Sequence, residues 1–439
     1  MNAPHESTAG LPSKIFADEA SALRLDEADE LRGFREQFCL PRAADGRPLI
    51  YFCGNSLGLQ PRGTREIVER ELQDWAELAV EGHFHAKRPW YPYHEQLREP
   101  GARLVGALPH EVVFMNGLTV NLHLMMATFY RPTAERYKIL IEDCAFPSDT
   151  YAVRTQIRWH GFAPSDALLI AQPRPGEHVL RMEDIEALLD REGRRVALVL
   201  MGGVNYYSGQ VLDMPRIVAA GHRHGCHVAF DLAHAAGNVP LALHEWNVDF
   251  AAWCNYKYLN SGPGAVAGCF VHERHARDTS LPRFGGWWGN DPATRFQMHL
   301  EPEFNPTPGA DAWQLSNPPI LSTAPLIASL ELFGKAGMAA LRRKSLRQTE
   351  FLLRCLAEAS GQRGSPGYEI ITPRDPRQRG CQLSILAHDR PREVHRSLQD
   401  RGVICDFREP NVVRVAPTPL YNTFHEIWRL AEILRDHIR

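Results

Sequence analysis

At 439 residues the chain is too long for one compact core, and it predicts two or three domains of about 150 residues each. Apolar residues make up 44% and charged residues 23%, and a net charge of -3 without any block of like charges argues against nucleic acid or an anionic membrane as partner. The opening MNAPHESTAGLPSK lacks the basic-then-apolar pattern of a secretory signal, no apolar run approaches the ~18 residues of a membrane span, and nine scattered cysteines without a CxxC pair suit a reducing cytoplasm.

In chain order, the N-terminal arm (1–50) has no periodicity that places it and is expected to contribute to the small domain. YFCGNSLGLQP (51–61) contains glycines but neither G-x-G-x-x-G nor the helix context of a dinucleotide loop, so it reads as an approach to a larger domain. From 64 to 80 the spacing of Ile67, Val68, Leu72, Trp75 and Leu78 predicts a helix. Apolar runs at 111–115, 137–142, 195–201, 227–230, 249–254 and 265–271 predict buried strands. Helical segments such as TVNLHLMMATFY, RMEDIEALLDRE and MPRIVAAGHRHG separate several of them. This alternation predicts an α/β domain with a mainly parallel sheet. An irregular Pro/Gly-rich zone follows from about 282 to 320. One long helix over 322–359, the runs CQLSIL and VVRVAP and a closing helix from 421 then predict a smaller α+β domain. The boundaries expected are 51–312 for the large domain and 313–439 for the small one.

Open α/β sheets bind ligands beyond the carboxyl ends of their strands. Those ends carry Asn116 to Thr119, the stretch AFPSD (145–149), Gly202 and Gly203, Asp231 with His234, and Tyr256 with Lys257. Alone, Asp231 reads as a helix cap or a structural ion pair, and Lys257 as a surface lysine. Together they fit a pyridoxal phosphate site. That cofactor needs a lysine to hold its aldehyde as an imine and an acid to keep its pyridine nitrogen protonated. Gly117-Leu118-Thr119 opens a helix, where free N–H groups and the helix dipole favour a phosphate.

The segment FDLAHAAGNVPLALHEWNVDFAAWCNYKYLNSGPGAVAGCFVHERH resembles kynureninase, a fold-type I pyridoxal phosphate-dependent family related to class V aminotransferases. YFCGNSLGLQP, GHFHAKRPW, NGLTVNLHL, AFPSD, LSNPPIL and VRVAPTPLYNTFH share the resemblance, which spans about 50 to 430. It implies hydrolysis of kynurenine or 3-hydroxykynurenine to an anthranilate and L-alanine through aldimine and ketimine intermediates. Lys257 would anchor the cofactor and move the Cα proton, and Asp231 would pair with the pyridinium. Phe146, Pro147, Ser148 and Asp149 would line the cofactor, with Phe146 against the ring face. Leu118, Thr119 and Tyr256 would meet the phosphate, with Tyr256 also a proton donor to the alanine carbon, and His234 would order the ring. Arg414 would hold the substrate α-carboxylate. Trp287 and Asn317 would approach across the interface of a homodimer.

Kynureninases often carry Ser where this chain has Gly202, which removes a hydroxyl contact to the phosphate and leaves a backbone contact. His83, Ser316 and Asn317 are the residue types of forms that favour 3-hydroxykynurenine, the substrate whose product leads toward NAD synthesis. The plainer alternative has His83 merely packing beside Trp90. The histidines of GHRHGCHV (221–228) read as the last turn of a helix rather than a metal site. A desulfurase, an aminotransferase and a non-catalytic binding protein are the rival readings.

Overall fold

Seven strands, all but one edge strand apolar enough to be covered on both faces, form the central sheet. They are β1 (Val112–Met115), β2 (Lys138–Glu142), β3 (Leu168–Ala171), β4 (Val196–Gly202), β5 (His227–Asp231), β6 (Phe250–Cys254) and β7 (Ala267–Val271). The computed structural model describes residues 16–278, 280–360 and 367–438, so the start of the N-terminal arm and the last residue of the closing helix lie outside the described residues. The strand order is β1-β7-β6-β5-β4-β2-β3. Every neighbouring pair is parallel except those made by β7, which runs antiparallel to β1 and β6. Six strands were predicted; β3 was not. It is a half-buried edge strand of four residues directly after a short helical turn, so it lacks the long buried run of the others.

Successive side chains of a strand point to opposite faces, and the cores follow. Val112 and Phe114 of β1 enter one apolar cluster, Val113 and Met115 the other. The longer helices up to residue 360 are α1 (Glu19–Glu27), α2 (Thr64–Leu78), α3 (Leu118–Phe129), α4 (Pro147–Trp159), α5 (Met182–Glu192), α6 (Met214–Arg223), α7 (Ile320–Ala336) and α8 (Met338–Ser360), and they cover both faces of the sheet except for α1 and most of α8. α3 and α4 pack on one side of the sheet. α5, α6 and α7 pack on the other. The single helix expected over 322–359 is two helices. Gly337 takes φ 74 and closes α7, and α8 leaves at 81°. Glycine reaches that left-handed region without a Cβ penalty, which is why the break falls there.

A second sheet has four antiparallel strands: β8 (Tyr368–Ile370), β9 (Leu383–Ala387), β10 (Asp406–Arg408) and β11 (Val412–Val415), in the order β10-β11-β9-β8. α9 (Pro391–Asp400) and α10 (Phe424–Ile438) pack against it. Ala17, Ala22, Leu25, Ile50 and Phe52 join this core, with Ile50–Tyr51 pairing parallel to Val403–Ile404. α7 buries its side chains in the core of the large sheet, whereas Phe351, Leu352, Cys355 and Leu356 of α8 belong to the small one. The two cores therefore meet along α8. No single helix among the described residues is long and apolar enough to cross a membrane.

Candidate active site

The carboxyl ends of β1, β2, β4, β5 and β6 converge on a cavity of about 230 Å³. Gly117, the N-cap of α3, is extended (φ -104, ψ 161) and no side chain caps the helix. The first intrahelical bond runs from Asn121 N–H to Gly117 O, which leaves the amides of Leu118, Thr119 and Val120 free at the cavity wall. Pro147 opens α4, where its missing N–H costs nothing. Ser148 Oγ then lies 2.9 Å from Thr119 Oγ1. Free amides and two hydroxyls at one helix start make an anion cup.

Lys257 follows β6 and is 9% exposed. Its Nζ lies 3.1 Å from His234 Nε2 and 5.6 Å from the centre of the Phe146 ring. Burial first, then the charges of Lys257, Arg414 and Arg408, hold the His234 imidazole well below its usual range. The ring is neutral, so Nε2 can accept a hydrogen bond from Lys257 Nζ. Asp231 Oδ1 accepts from Ala233 N–H at 2.7 Å. Burial, then the neighbouring Asp231, push the Asp149 carboxyl well above the usual carboxylate range. Tyr256 is half-buried, and burial followed by Cys254 raises its hydroxyl, so it keeps its proton at neutral pH.

A third carboxyl escaped sequence reasoning. Glu142 ends β2, lines the cavity and is buried; burial raises it to about 7. Its Oε1 accepts from Gly202 N–H at 3.0 Å. A Cβ at Gly202 would stand 2.8 Å from that oxygen, so glycine leaves Glu142 its place. The Gly202 amide expected to face the cofactor is thus already donated to Glu142.

Asp149 Oδ1, Glu142 Oε2 and His234 Nδ1 are buried without a partner. Unpartnered buried polar atoms beside a cavity are costly and call for a polar ligand. A protonated pyridine nitrogen, an aldehyde and a phosphate match the carboxylates, the lysine and the anion cup. The donor set therefore fits pyridoxal phosphate.

The other predicted residues divide. Arg414, 1% exposed in β11, donates to Tyr206 O at 2.6 Å and is paired with Asp406. Tyr206, also unforeseen, lines the cavity with its ring edge-on to Phe146 at 5.3 Å. His83 packs edge-on against Trp90 at 5.6 Å, away from the cavity lining. Trp287 is 37% exposed, and Ser316 and Asn317 are exposed. Neither these four nor Arg414, Pro147 and Ser148 line the Lys257 cavity within this one chain. Only Glu142 left a sequence signal: it is a carboxylate closing an apolar strand, as Asp231 is.

The histidines of GHRHGCHV have structural partners. His222 Nε2 lies 2.8 Å from Asp249, and His224 Nε2 lies 3.0 Å from Asp190. His227 and His275 also face Asp249. Burial works to raise Asp249, yet its histidine bonds and the Arg274 charge hold it well below its usual value. Arg274 Nη2 sits 2.6 Å from Asp249 Oδ1, putting a guanidinium where a metal would bind. Cys144 is exposed near the site, but burial around its thiol, then Asp143, push it up to about 11, far from a reactive thiolate.

A family profile described as the kynureninase C-terminal domain matches residues 341–434. A kynureninase of Myxococcus xanthus is 54% identical over 97% of this chain and 99% of its own length. Kynureninases of Koribacter versatilis and Monosiga brevicollis are 55% and 48% identical, covering 94% and 96% of this chain and 96% of their own lengths. Among solved structures, a variant of the lyase C-DES with glycine linked to its PLP cofactor superposes at TM-score 0.74 with 20% identity, covering 92% of this chain and 99% of that one. A cysteine desulfurase of Thermococcus onnurineus superposes at 0.72 with 18% identity, covering 89% and 94%. These two carry the fold alone.

Sheet order and superposition give the chain the class V aminotransferase-like, fold-type I architecture of pyridoxal phosphate-dependent enzymes. Half of its residues are shared with curated relatives along nearly its whole length, and the chain belongs to the kynureninase family. It is a pyridoxal phosphate-dependent hydrolase that cleaves the Cβ–Cγ bond of kynurenines.

Proposed function

We propose that the enzyme prefers L-3-hydroxykynurenine to L-kynurenine, releases 3-hydroxyanthranilate and L-alanine, and works in the cytoplasm as a homodimer whose product feeds NAD synthesis. The observation that carries the site assignment is the meeting of Lys257, Asp231 and the open start of α3 in one cavity. When bound, the cofactor supplies an electron sink for charge that develops on the substrate. Asp231 would hold the pyridine nitrogen protonated, with Asp149 hydrogen-bonded to Asp231 beside it. Leu118, Thr119 and Tyr256 would hold the phosphate, with Ser148 beside the Thr119 hydroxyl, and Phe146 and Pro147 would flank the ring.

Lys257 Nζ would anchor the cofactor and would take the Cα proton of the substrate. The neutral His234 beside it accepts a hydrogen bond and adds no competing charge. Tyr256 stays protonated and donates to the leaving alanine carbon. Arg414 takes the α-carboxylate through its planar fork. Trp287 and Asn317 reach the site of the partner subunit, which accounts for their exposure in one chain. His83, Ser316 and Asn317 recognise the 3-hydroxyl, because a polar pocket leaves its groups unpaired on the unhydroxylated ring. The fold divides into a large cofactor domain and a small domain that includes the N-terminal arm.

Steady-state kinetics on both substrates test the preference. A higher kcat/KM on 3-hydroxykynurenine, lowered toward that of kynurenine by His83→Ala, supports it. Equal or better kcat/KM on kynurenine contradicts it.

A further inference from the structure

Arg414 is not alone. Its Nη2 pairs with Asp406 Oδ2, and its Nε is buried without a partner. Arg408 Nη2 donates to the same Oδ2 at 3.0 Å, and its Nε is also buried and unpartnered. β10 and β11 set this up, because Asp406 and Arg414 are directly opposed in the antiparallel register. Both guanidiniums lie over the Tyr206 ring, at 5.8 Å for Arg408 and 5.7 Å for Arg414. That ring walls the cofactor cavity and touches Phe146, so the cluster adjoins the reaction site.

The charges do not balance. Two guanidiniums face one carboxylate, leaving one positive charge in excess beside the buried Arg414, with Arg408 partly open to solvent. Such an excess calls for an anion. Both arginines also act on His234 inside the cavity, so the excess reaches the place where substrate binds.

We propose that Asp406 is an internal stand-in for the substrate α-carboxylate and that Arg408 is its holder. The inference rests on the reading of Arg414 as the α-carboxylate anchor. Without substrate, Asp406 neutralises Arg414. An incoming α-carboxylate takes the Arg414 fork, and Asp406 stays on Arg408 through the bond it already makes. Bound substrate then gives two cations and two anions. Asp406 and Arg408 are specificity-determining residues, selecting amino acids with a free carboxylate over esters or amides, which cannot displace Asp406.

The test uses holoenzyme with kynurenine and kynurenine methyl ester. Asp406→Asn removes the competing charge but keeps an acceptor for Arg414. It lowers KM for the acid by about fivefold, with the change carried by KM, and leaves the ester nearly unaffected. Arg408→Gln frees Asp406 to stay on Arg414 and raises KM for the acid by a similar factor. Equilibrium titration of the cofactor absorbance with L-alanine and L-alaninamide shifts in the same directions for the carboxylate alone. A raised acid KM in Asp406→Asn overturns the proposal, since Asp406 then only orients Arg414. Equal effects on acid and ester overturn it as well. Arg414→Lys tests the underlying reading separately: it selectively weakens the acid if Arg414 is the anchor, and affects acid and ester alike if it is not. The cofactor band and the melting temperature verify folding of each variant. Should Asp406→Asn fail to fold, Arg408→Gln decides the question on its own, since an unchanged acid KM there contradicts the exchange.

Discussion

Glu142 makes the acid environment of the site measurable without any cofactor. Its carboxyl rises from 4.5 to about 7 because it is buried, with Asp231 and Asp143 adding like charge. The folded chain therefore holds a proton there that the unfolded chain has released. The associated stability is fully present below the unfolded value and is lost as pH climbs through about 7. It amounts to about 3 kcal/mol for this group, and Asp149 acts in the same direction. Cofactor-free protein should melt at progressively lower temperature between about pH 5 and pH 8, and Glu142→Gln should flatten that slope. An unchanged slope in the variant would assign the effect elsewhere. At this scale the sequence was legible where one residue type stood out against its surroundings: Lys257 and Asp231 are charges closing apolar strands. Glu142 has the same position but disappears into the strand it ends. Asp406 and Arg408 sit in a three-residue half-buried strand that no periodicity singles out.

The loop YFCGNSLGLQP proves to be a brace for the turn that carries Lys257. Gly58 N–H donates to Tyr256 O at 2.8 Å, and a Cβ on Gly58 would meet Lys257 O at 2.3 Å. Backbone on backbone cannot yield cheaply. Gly58→Ala should displace the Tyr256–Lys257 turn and cost roughly tenfold or more in kcat/KM, with weaker cofactor retention on dialysis. Wild-type retention and activity in that variant would show that the turn positions itself. Gly337 makes a separate element-scale prediction. Its φ of 74 favours glycine, so Gly337→Ala should destabilise the protein by about 1 kcal/mol in denaturant melts without changing KM. The strands of the large sheet were legible because both faces are covered and the apolar runs are continuous. The α7–α8 break was not, since one glycine inside an apolar helical pattern does not announce its φ.

At the scale of the molecule, the irregular zone after the large sheet turns apolar side chains outward. Trp287 is 37% exposed, and Phe284, Phe296 and Leu300 are exposed at 59%, 62% and 68%. Such apolar surface fits an interface. If Trp287 and Asn317 serve the partner's site, Lys257→Ala and Asn317→Ala chains should complement each other when mixed. Random reassortment then yields one intact site in each mixed dimer and roughly a quarter of wild-type activity. No recovery in dimers confirmed by mass would confine each site to one subunit. The two-sheet division was legible from the change in pattern after the irregular zone, while the meeting of the two cores along α8 depends on packing that no local pattern encodes.

The most direct measurement concerns Lys257 itself. Holoenzyme reduced with borohydride and mapped by peptide mass spectrometry should carry the cofactor's mass on the peptide containing Lys257, with loss of the visible band. Label on a different lysine, or none despite a bound cofactor, would contradict the account at its centre.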